Sequence, residues 1–352
     1  MRNSGTQLAA RLALALPLLC GPMLPAHAGE MAERKEIAEL FTKSFAASDF
    51  STLDTWYSKA RRDNSRLPSG DFRADRLVQS IAFGEPPAMR PCTEFRCSRV
   101  NDDYWLAQQQ KARVWLGQQP QSTLAALTLA KAYDAQAWEY RGAGFANNVR
   151  EEDMLKFRDL ANQAVQILFT HAEHGRKDPN WWSQLLTYSR YTPMGQKNLA
   201  KLAHDALAAF PGNPGIYASL ADSLTPQWGG SYEAIAGLAA HAVENTEAEE
   251  GQSMYARIYG SAYGLLSKRG TAVFARPDVN WPRIRAGFDD LVQRYPDSTN
   301  LNTYARLACI SALDKKTTAQ LLQRIAQEVE PQVWQSRSEF RRCQNWSREA
   351  SP

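Results

Sequence analysis

In the first half of the chain, the side chains best suited to binding or chemistry lie at the end of one long helix. Ser122 is a predicted N-cap, and the run from there to Arg141 contains no Gly or Pro. Trp138 and Arg141 occupy a face beside the apolar stripe of this helix, and Gly142 and Gly144 end it. The sequence therefore predicts a packed helix that presents an indole and a guanidinium at its C-terminal end.

A second candidate is the turn Trp228-Gly229-Gly230, which precedes a helix capped by Ser231. The glycines permit positive φ, so the indole can fold over a helix start whose first N–H groups lack partners within the helix. With Arg141, this arrangement would form a small pocket for an anion or a carboxylate. The favoured interpretation is structural: Arg141 bonds the carbonyls of its own loop, and Trp228 covers a helical hairpin.

Motifs for catalysis and for metal binding are sparse. His171 and His174 have i, i+3 spacing and could share a metal, but no His-Glu-x-x-His pattern supplies further ligands, so structural roles are favoured. The chain has no nucleophile elbow, phosphate-binding glycine loop or dinucleotide fingerprint. We therefore expect no metal, no cofactor and no catalytic residue. In the alternative of an all-α glycan-cleaving enzyme, Glu139 is the acid to test.

The first 28 residues predict an export signal. Arg2 and Arg11 precede an apolar core over residues 12–19, and residues 26–28 match a small-x-small cleavage site. Cleavage after Ala28 would leave residues 29–352, and we expect this protein in the periplasm or outside the cell. The rival interpretation, a lipoprotein anchored through Cys20, is disfavoured by the bulky Leu residues before that cysteine. No run of about 20 apolar residues follows, so stable membrane insertion is not expected.

The charge balance argues against one class of partner. Without Arg2 and Arg11, 39 basic residues face 37 acidic ones, and the formal net charge falls from +4 to +2. A chain this close to neutral has no global electrostatic attraction for nucleic acid. We therefore expect no nucleic-acid partner.

Four cysteines remain after removal of the signal: Cys92, Cys97, Cys309 and Cys343. An even number in an exported chain favours disulfides over free thiols. Three connectivities are possible, of which we favour Cys92–Cys97 as a local clip and Cys309–Cys343 as a link across the last helices. A zinc site built from all four cysteines is the alternative, but such sites usually pair two closely spaced knuckles, and only one is present.

Outside an irregular stretch over residues 61–103, the pattern along the chain is helical. No two adjacent runs alternate strictly between apolar and polar residues, so we predict an all-α fold. The breaks Pro179 and Pro211 lie 32 positions apart, and Pro296 and Pro331 lie 35 apart, near the tetratricopeptide period of about 34. Stacked helical hairpins explain this spacing better than a compact bundle does. The predicted helices are 30–57, 72–83, 104–117, 122–141, 151–174, 179–191, 194–210, 216–224, 231–243, 252–266, 281–295, 301–312, 319–329 and 333–340.

These patterns divide the chain into four parts. Residues 1–28 are the signal peptide, 29–103 an N-terminal helix plus an irregular loop region, 104–346 the helical-repeat domain, and 347–352 a disordered tail. The predicted fold class is a tetratricopeptide-like helical-hairpin solenoid with an irregular, disulfide-clipped N-terminal region. Irregular segments as long as residues 61–103 are usually either functional or poorly ordered, and the proposed Cys92–Cys97 disulfide favours an ordered segment.

Five motifs follow one another in a specific order: Trp115-Leu116 with Pro120 and Ser122; residues 137–144 (AWEYRGAG); residues 224–231 (LTPQWGGS); Gly287-Phe288 with residues 295–298 (YPDS); and Cys309, Cys343 and Trp346. Together they resemble the motifs of exported bacterial proteins that carry a domain of unknown function of the DUF4034 type. The resemblance covers roughly residues 104–346. It implies an all-helical, tetratricopeptide-like exported protein, and it implies no activity because none is assigned to the family.

The leading functional hypothesis is a non-enzymatic scaffold that binds a protein or peptide partner in the cell envelope. It rests on architecture by analogy. The alternatives are a cell-envelope hydrolase acting on peptidoglycan or another glycan, and an immunity- or inhibitor-type protein that captures one toxin or enzyme. Trp181 and Trp182 are adjacent on a helix, so one is expected in the core and the other on a binding face. The candidate binding residues are Trp138, Arg141, Trp228, Gly229 and Gly230.

Overall fold

The computed structural model describes residues 30–84, 100–142, 144–267, 274, 276, 279–325, 328–334 and 336–349. These residues form sixteen α-helices and two single turns of 3₁₀ helix, and their β-type pairing is limited to an isolated bridge between Arg66 and Phe72. The all-α prediction is confirmed for this part of the chain. The helices are α1 (Glu30–Ala47), α2 (Phe50–Arg62), α3 (Arg73–Gln79), α4 (Asp102–Gln118), α5 (Thr123–Arg141), α6 (Glu151–Thr170), α7 (Ala172–Gly175), α8 (Pro179–Ser189), α9 (Pro193–Ala209), α10 (Pro214–Ser223), α11 (Tyr232–Glu250), α12 (Ser253–Ser267), α13 (Trp281–Arg294), α14 (Ser298–Ser311), α15 (Lys315–Arg324) and α16 (Arg337–Arg348), with 3₁₀ turns at Ala146–Asn148 and Pro226–Trp228.

Helix α5 begins and ends as the sequence predicts. The Ser122 hydroxyl oxygen accepts a hydrogen bond from the backbone N–H of Ala125 at 2.9 Å, which caps the first turn. At the other end Gly142 takes a φ of +62°, which favours glycine, and its N–H donates to the carbonyl of Trp138. Thirteen of the 19 residues of α5 are buried, and the helix packs between α4 and α6, so α5 is first of all a core element.

The helices from α8 onward stack as hairpins. Helix α8 packs against α9 and α10, α10 against α11 and α12, α12 against α13, and α14 against α15. Sharp breaks separate α8, α9 and α10 because each begins with a proline that follows a side-chain cap, provided by Asp178, Thr192 and Asn213. This packing agrees with the predicted helical-hairpin solenoid.

Several helix boundaries differ from the prediction. The helix expected over residues 30–57 is two helices, because Ser48 takes a φ of +57° and Asp49 caps the start of α2. The helix expected over residues 151–174 is interrupted at His171, where α6 ends. Helix α16 begins later than predicted and continues through Arg348, past the repeat boundary placed at residue 346.

The turn of residues 65–72 fastens the N-terminal helices to the second half of the array. Glu30 is almost fully buried and accepts hydrogen bonds from the backbone N–H and the hydroxyl of Ser69. Arg257 of α12 donates to the Ser69 carbonyl at 2.9 Å and pairs with Asp71 at 3.0 Å. Asn300 of α14 donates to the same carbonyl at 3.0 Å. A stretch that the sequence predicts as irregular is therefore an ordered clamp on α12 and α14.

Two hydrophobic clusters meet at α10. The first joins α1, α2 and α3 to the helices from α4 to α10, and the second runs from α10 to α16. Ile216 of α10 belongs to the first cluster, whereas its neighbour Tyr217 belongs to the second. The apolar interior thus continues from one hairpin to the next, as expected when each repeat buries its face against its neighbours.

The sulfur atoms of Cys309 and Cys343 are bonded, which links α14 to α16 as the sequence predicts. Their Cα atoms are 5.7 Å apart. Cys92 and Cys97 lie outside the described residues, so their pairing stays a prediction. Within the described ranges, no helix combines the length and the apolar character needed to cross a bilayer.

Candidate functional site

Trp138 and Trp228 converge on one ring, that of Tyr191, just after the end of α8. The ring centroids of Trp138 and Tyr191 are 5.5 Å apart, and those of Tyr191 and Trp228 are 6.1 Å apart. Phe157 of α6 contacts the rings of Trp138 and Tyr191 at 5.2 and 5.7 Å. The two indoles are partly exposed, whereas Tyr191 and Phe157 are buried. With two arginines these rings form what we call the aromatic surface: Trp138, Phe157, Tyr191, Trp228, Arg141 and Arg190.

Each arginine of the aromatic surface lies over an indole. The Cζ atom of Arg141 is 5.9 Å from the ring centroid of Trp138, and that of Arg190 is 5.3 Å from the ring centroid of Trp228. Arg141 also donates to the carbonyls of residues 142 and 144, which is the structural role expected for it. Arg190, which no sequence motif singles out, therefore occupies the place beside the Trp228 turn that the sequence suggests for Arg141.

The backbone structure of the Trp228 turn explains why glycine occupies positions 229 and 230. Gly229 takes a φ of +87°, which favours glycine. A Cβ atom at Gly230 would overlap the backbone carbonyl of Leu224, so a side chain does not fit there. The Ser231 hydroxyl oxygen accepts from the N–H of Ala234 at 3.1 Å, which satisfies one of the N–H groups considered as an anion site. The turn is therefore a close-packed connection between α10 and α11.

One buried polar link lies beneath the aromatic surface. The hydroxyl of Tyr191 donates to the carboxylate of Asp134 on α5. Asp134 is buried and also pairs with Lys131, its Oδ2 lying 3.5 Å from the ammonium. Burial, followed by the negative charge of Asp134, raises the pKa of Tyr191 well above its ordinary value. The hydroxyl therefore remains a donor at all pH values at which the protein would work.

Large apolar side chains are exposed close by along the chain. Phe145, in the connection that follows α5, is 74% exposed, and Leu155 of α6 is 58% exposed. Leu155 and Phe157 are two positions apart on α6, a spacing that directs them to different sides of the helix, so Phe145 is the exposed apolar residue that follows the Trp138–Arg141 end of α5. Exposed apolar groups near Trp and Arg side chains are typical of protein-binding surfaces.

Other candidates from the sequence have structural roles. Trp181 and Trp182 are both buried, and their indole N–H groups donate to backbone carbonyls, so the expectation that one of them lies on a binding face is wrong. Glu139 is exposed and accepts a hydrogen bond from the indole of Trp105 at 2.9 Å. His171 is buried, and its burial lowers the pKa of the ring. Among the described residues, no three His, Cys, Asp or Glu side chains gather as a metal site.

A cleft between the N-terminal helices and the array is not apparent from the sequence. It has a volume of about 400 Å³ and lies where α2 and α3 meet the start of α8 and the α9–α10 turn. Its polar side chains include Asp75, Arg61 and Arg66, and we call it the Asp75 cleft. Its apolar walls include Ala60, Phe72, Pro179, Ala209, Phe210 and Pro211.

Asp75 is buried in this cleft, and its hydrogen-bond partners are amides. The Nδ2 atom of Asn180 donates to Oδ1 of Asp75 at 2.8 Å. Burial raises the pKa of Asp75 to about 7; hydrogen bonds from Asn180 and Asn213 oppose this rise, and the negative charges of Asp178 and Asp71 add to it. A carboxyl group that titrates near neutral pH in a cleft is a frequent mark of a functional site.

The two arginines of the Asp75 cleft are each paired with a buried carboxylate. Arg61 lies 2.6 Å from Asp178, which also accepts a hydrogen bond from the hydroxyl of Tyr57 at 2.9 Å. Arg66 lies 2.9 Å from Glu250. Both guanidinium charges are therefore already balanced by neighbours.

Sequence reasoning misses this cleft because its polar residues come from separate segments. Asn180 and Asn213 look like ordinary residues of helix starts, where Asn is common. The one local signal is Asp75 itself, an acid that adjoins Ala74 and stands two positions before Leu77 in a short helix whose basic and amide residues are unremarkable on a surface. Such a signal is too weak to identify a site without the fold.

No family model and no curated protein matches the chain. The roles of the two surfaces are therefore inferred from their own chemistry. The resemblance to DUF4034-type proteins therefore stays a prediction. The aromatic surface and the Asp75 cleft are the two regions of the described structure on which a function can be argued.

Proposed function

We propose that the chain is an exported, non-enzymatic helical-repeat protein that binds a protein or peptide partner through the aromatic surface and Phe145. The observation that carries this proposal is the 74% exposure of Phe145 in the connection directly after α5. Burying such a ring against a partner is favourable by roughly 1.5–3 kcal/mol. The exposed ring of Phe145 is unfavourably solvated in the isolated chain, so its burial in an interface would favour binding.

The composition and rigidity of the neighbouring residues support this proposal. Trp, Tyr and Arg are the residue types that most often carry the binding energy of protein interfaces. Tyr191 and Phe157 are buried beneath the partly exposed Trp138 and Trp228, so the indoles are held in place before a partner arrives. Pre-ordered side chains lose less conformational entropy on binding.

Export to the cell envelope is part of the proposal. The signal-like pattern of residues 1–28 supports it, and the Cys309–Cys343 bond is compatible with an oxidising compartment. The partner is accordingly sought in the periplasm or outside the cell.

Site-specific photo-crosslinking tests the proposal. Benzoylphenylalanine is introduced at Phe145, and the matched control carries it at Leu313, which is 57% exposed at the other end of the array. After irradiation of cells that export the chain, we expect a discrete crosslinked partner from position 145 and none from position 313. The same pattern from both positions, or no crosslink from position 145, would contradict the proposal.

A second assay separates this proposal from the hydrolase alternative. The purified protein is incubated with a peptidoglycan suspension, whose clearing reports glycan cleavage. We expect no clearing by the wild-type chain. Clearing that Glu139→Gln abolishes would overturn the non-enzymatic assignment.

A further inference from the structure

We propose that the Asp75 cleft binds an alkyl ammonium group on an aliphatic stem, of the kind presented by a linear diamine or a lysine side chain. This is a second site, formed by α2, α3, α8 and the α9–α10 turn. It shares no residue with the aromatic surface, so its failure would leave the proposed partner-binding function standing.

The charges in and around the cleft favour a cation. Arg61 and Arg66 are the two cationic groups that line it, and each is held by its own carboxylate, from Asp178 and Glu250. Two further acids, Asp75 and Glu249, line the cleft. Two positive charges thus face four acidic groups: Asp75, Asp178, Glu249 and Glu250.

The Asp75 carboxylate is oriented by the protein and retains acceptor capacity. Asn180 donates to Oδ1, and Asn213 supplies a second amide donor, but neither contributes a charge. An ionised carboxylate offers about four acceptor sites, so two amides leave room for an ammonium N–H. Among the described residues, Asp75 has no cation as an ion-pair partner. An ammonium group would supply the missing charge by a charge-assisted hydrogen bond.

Burial adds a second reason for a cationic ligand. The raised pKa of Asp75 means that its ionised form is disfavoured in the cleft, chiefly by desolvation. A neighbouring positive charge has the opposite effect on a carboxyl group. Binding of an ammonium and ionisation of Asp75 would therefore assist each other.

The walls of the cleft select the stem of the ligand. Phe72 and Phe210 face the cleft together with Pro179 and Pro211, and its volume of about 400 Å³ lies in the range of small-molecule sites. A chain of four or five methylene groups can contact these walls while its terminal ammonium reaches the carboxylate. A strongly hydrated small inorganic cation would gain nothing from them.

Calorimetric titration of the exported protein at pH 8 tests the proposal. The probes are 1,5-diaminopentane and N-acetyl-lysine amide, which distinguish a free diamine from a lysine side chain. The matched neutral probes are 1,5-pentanediol and N-acetyl-norleucine amide, and glutarate serves as the anionic probe. We expect at least one ammonium probe to bind ten times or more tightly than its neutral match and than glutarate.

Two variants locate the binding in the cleft. Asp75→Asn keeps the shape and the acceptor for Asn180 but removes the charge, and we expect it to weaken ammonium binding at least tenfold. Asp103→Asn, the same change at an exposed position of α4, should leave binding unchanged. Ala209→Trp fills the cleft from an exposed position and should also abolish binding, which keeps the test valid if Asp75→Asn does not fold.

Each outcome decides for or against the proposal. Tighter binding of either ammonium probe, lost in each of the two variants that folds, supports it and identifies the source of the ammonium group. Absence of binding by both ammonium probes, equal binding by the neutral probes, or preference for glutarate would overturn it. Unchanged ammonium binding in a folded Asp75→Asn or Ala209→Trp protein would also overturn it.

Discussion

The aromatic surface and the Asp75 cleft are built in opposite ways. At the aromatic surface the apolar rings of Trp138 and Trp228 lie at the boundary with solvent, and the buried hydroxyl of Tyr191 has a carboxylate partner. In the cleft the order is reversed, because the acid Asp75 is buried while exposed Ala209 lies on the rim. One region exposes apolar area, and the other buries a carboxyl group that has no ion-pair partner among the described residues.

The two regions should therefore respond to different perturbations. Contact area holds the aromatic surface together, and the pKa of Tyr191 is too high for it to titrate near neutral pH. At the cleft, the contribution to the free energy of unfolding depends on the charge of Asp75, whose pKa lies at about 7. Changes of pH should therefore act on the cleft, and removal of ring area on the aromatic surface.

The largest expected effect is the pH dependence that Asp75 confers on stability. Its pKa is raised from 3.8 to about 7 in the folded chain, so between these values the folded state holds a proton that the unfolded state has lost. The free energy of unfolding should consequently fall by up to roughly 4 kcal/mol as the pH rises from about 4 to 7. Above pH 7 this contribution should stay constant. The charged and titratable groups facing Asp75 are Tyr57, Arg61, Arg66, Asp71, Asp178 and Glu249.

Urea unfolding at a series of pH values isolates this contribution. Asp75→Asn cannot titrate, so its stability relative to the wild type should increase between pH 4 and pH 8. Asp103→Asn, at an exposed position, should follow the wild-type curve. Parallel curves for the wild type and Asp75→Asn would show that Asp75 does not carry a raised pKa.

Removal of ring area should give the next largest effect. Trp138 contacts two rings, those of Phe157 and Tyr191, so Trp138→Ala should lower the free energy of unfolding by about 3 kcal/mol. Trp228 contacts Tyr191 alone among these rings, and Trp228→Ala should cost less. Denaturant unfolding measures both. Phe145→Ala is the control and should stay within about 0.5 kcal/mol of the wild type, because the ring is exposed. A larger loss at Trp228 than at Trp138 would contradict this description of the surface.

The sequence predicts the parts of this structure that depend on local chemistry. The two ends of α5, at Ser122 and Gly142, are predictable because capping and positive φ are properties of single residues and their neighbours. The break at Ser48 is missed, since its positive φ is adopted by a residue other than glycine and leaves no mark in the pattern. The ordered clamp around Ser69 is missed as well, because it depends on Arg257, which is 188 positions away in the chain.

The same limit explains the unequal outcome for the two candidate sites. Trp138 and Trp228 are visible in the sequence as rings beside glycine stops, but their meeting on Tyr191 is a tertiary contact. Asp75 and Asn180 are 105 positions apart, and their hydrogen bond is set by the docking of α3 on α8. A sequence can indicate single reactive residues, whereas a cleft made from several segments becomes apparent only with the fold.

A smaller effect tests whether the polar link beneath the aromatic surface matters. Tyr191→Phe removes a hydrogen bond to the buried carboxylate of Asp134, and should cost about 2 kcal/mol. Tyr188→Phe is a matched control, because the Tyr188 hydroxyl is buried without a hydrogen-bond partner in the described structure. That substitution should be neutral or slightly stabilising. Equal losses of unfolding free energy in the two variants would mean that ring packing alone holds Tyr191.

The smallest effect separates the two arginines of the aromatic surface. Arg141→Gln should change the free energy of unfolding by less than about 0.5 kcal/mol, since within the described structure the partners of Arg141 are exposed loop carbonyls and one indole face. Arg190→Gln should cost about 1 kcal/mol, because Arg190 lies over the rings of Tyr191 and Trp228 and pairs with the partly buried Asp222. Thermal or urea unfolding of both variants decides the order. If Arg141→Gln proves the more destabilising, the guanidinium that organises this surface belongs to α5, as the sequence first suggests, and the surface is centred on Trp138 rather than on Tyr191.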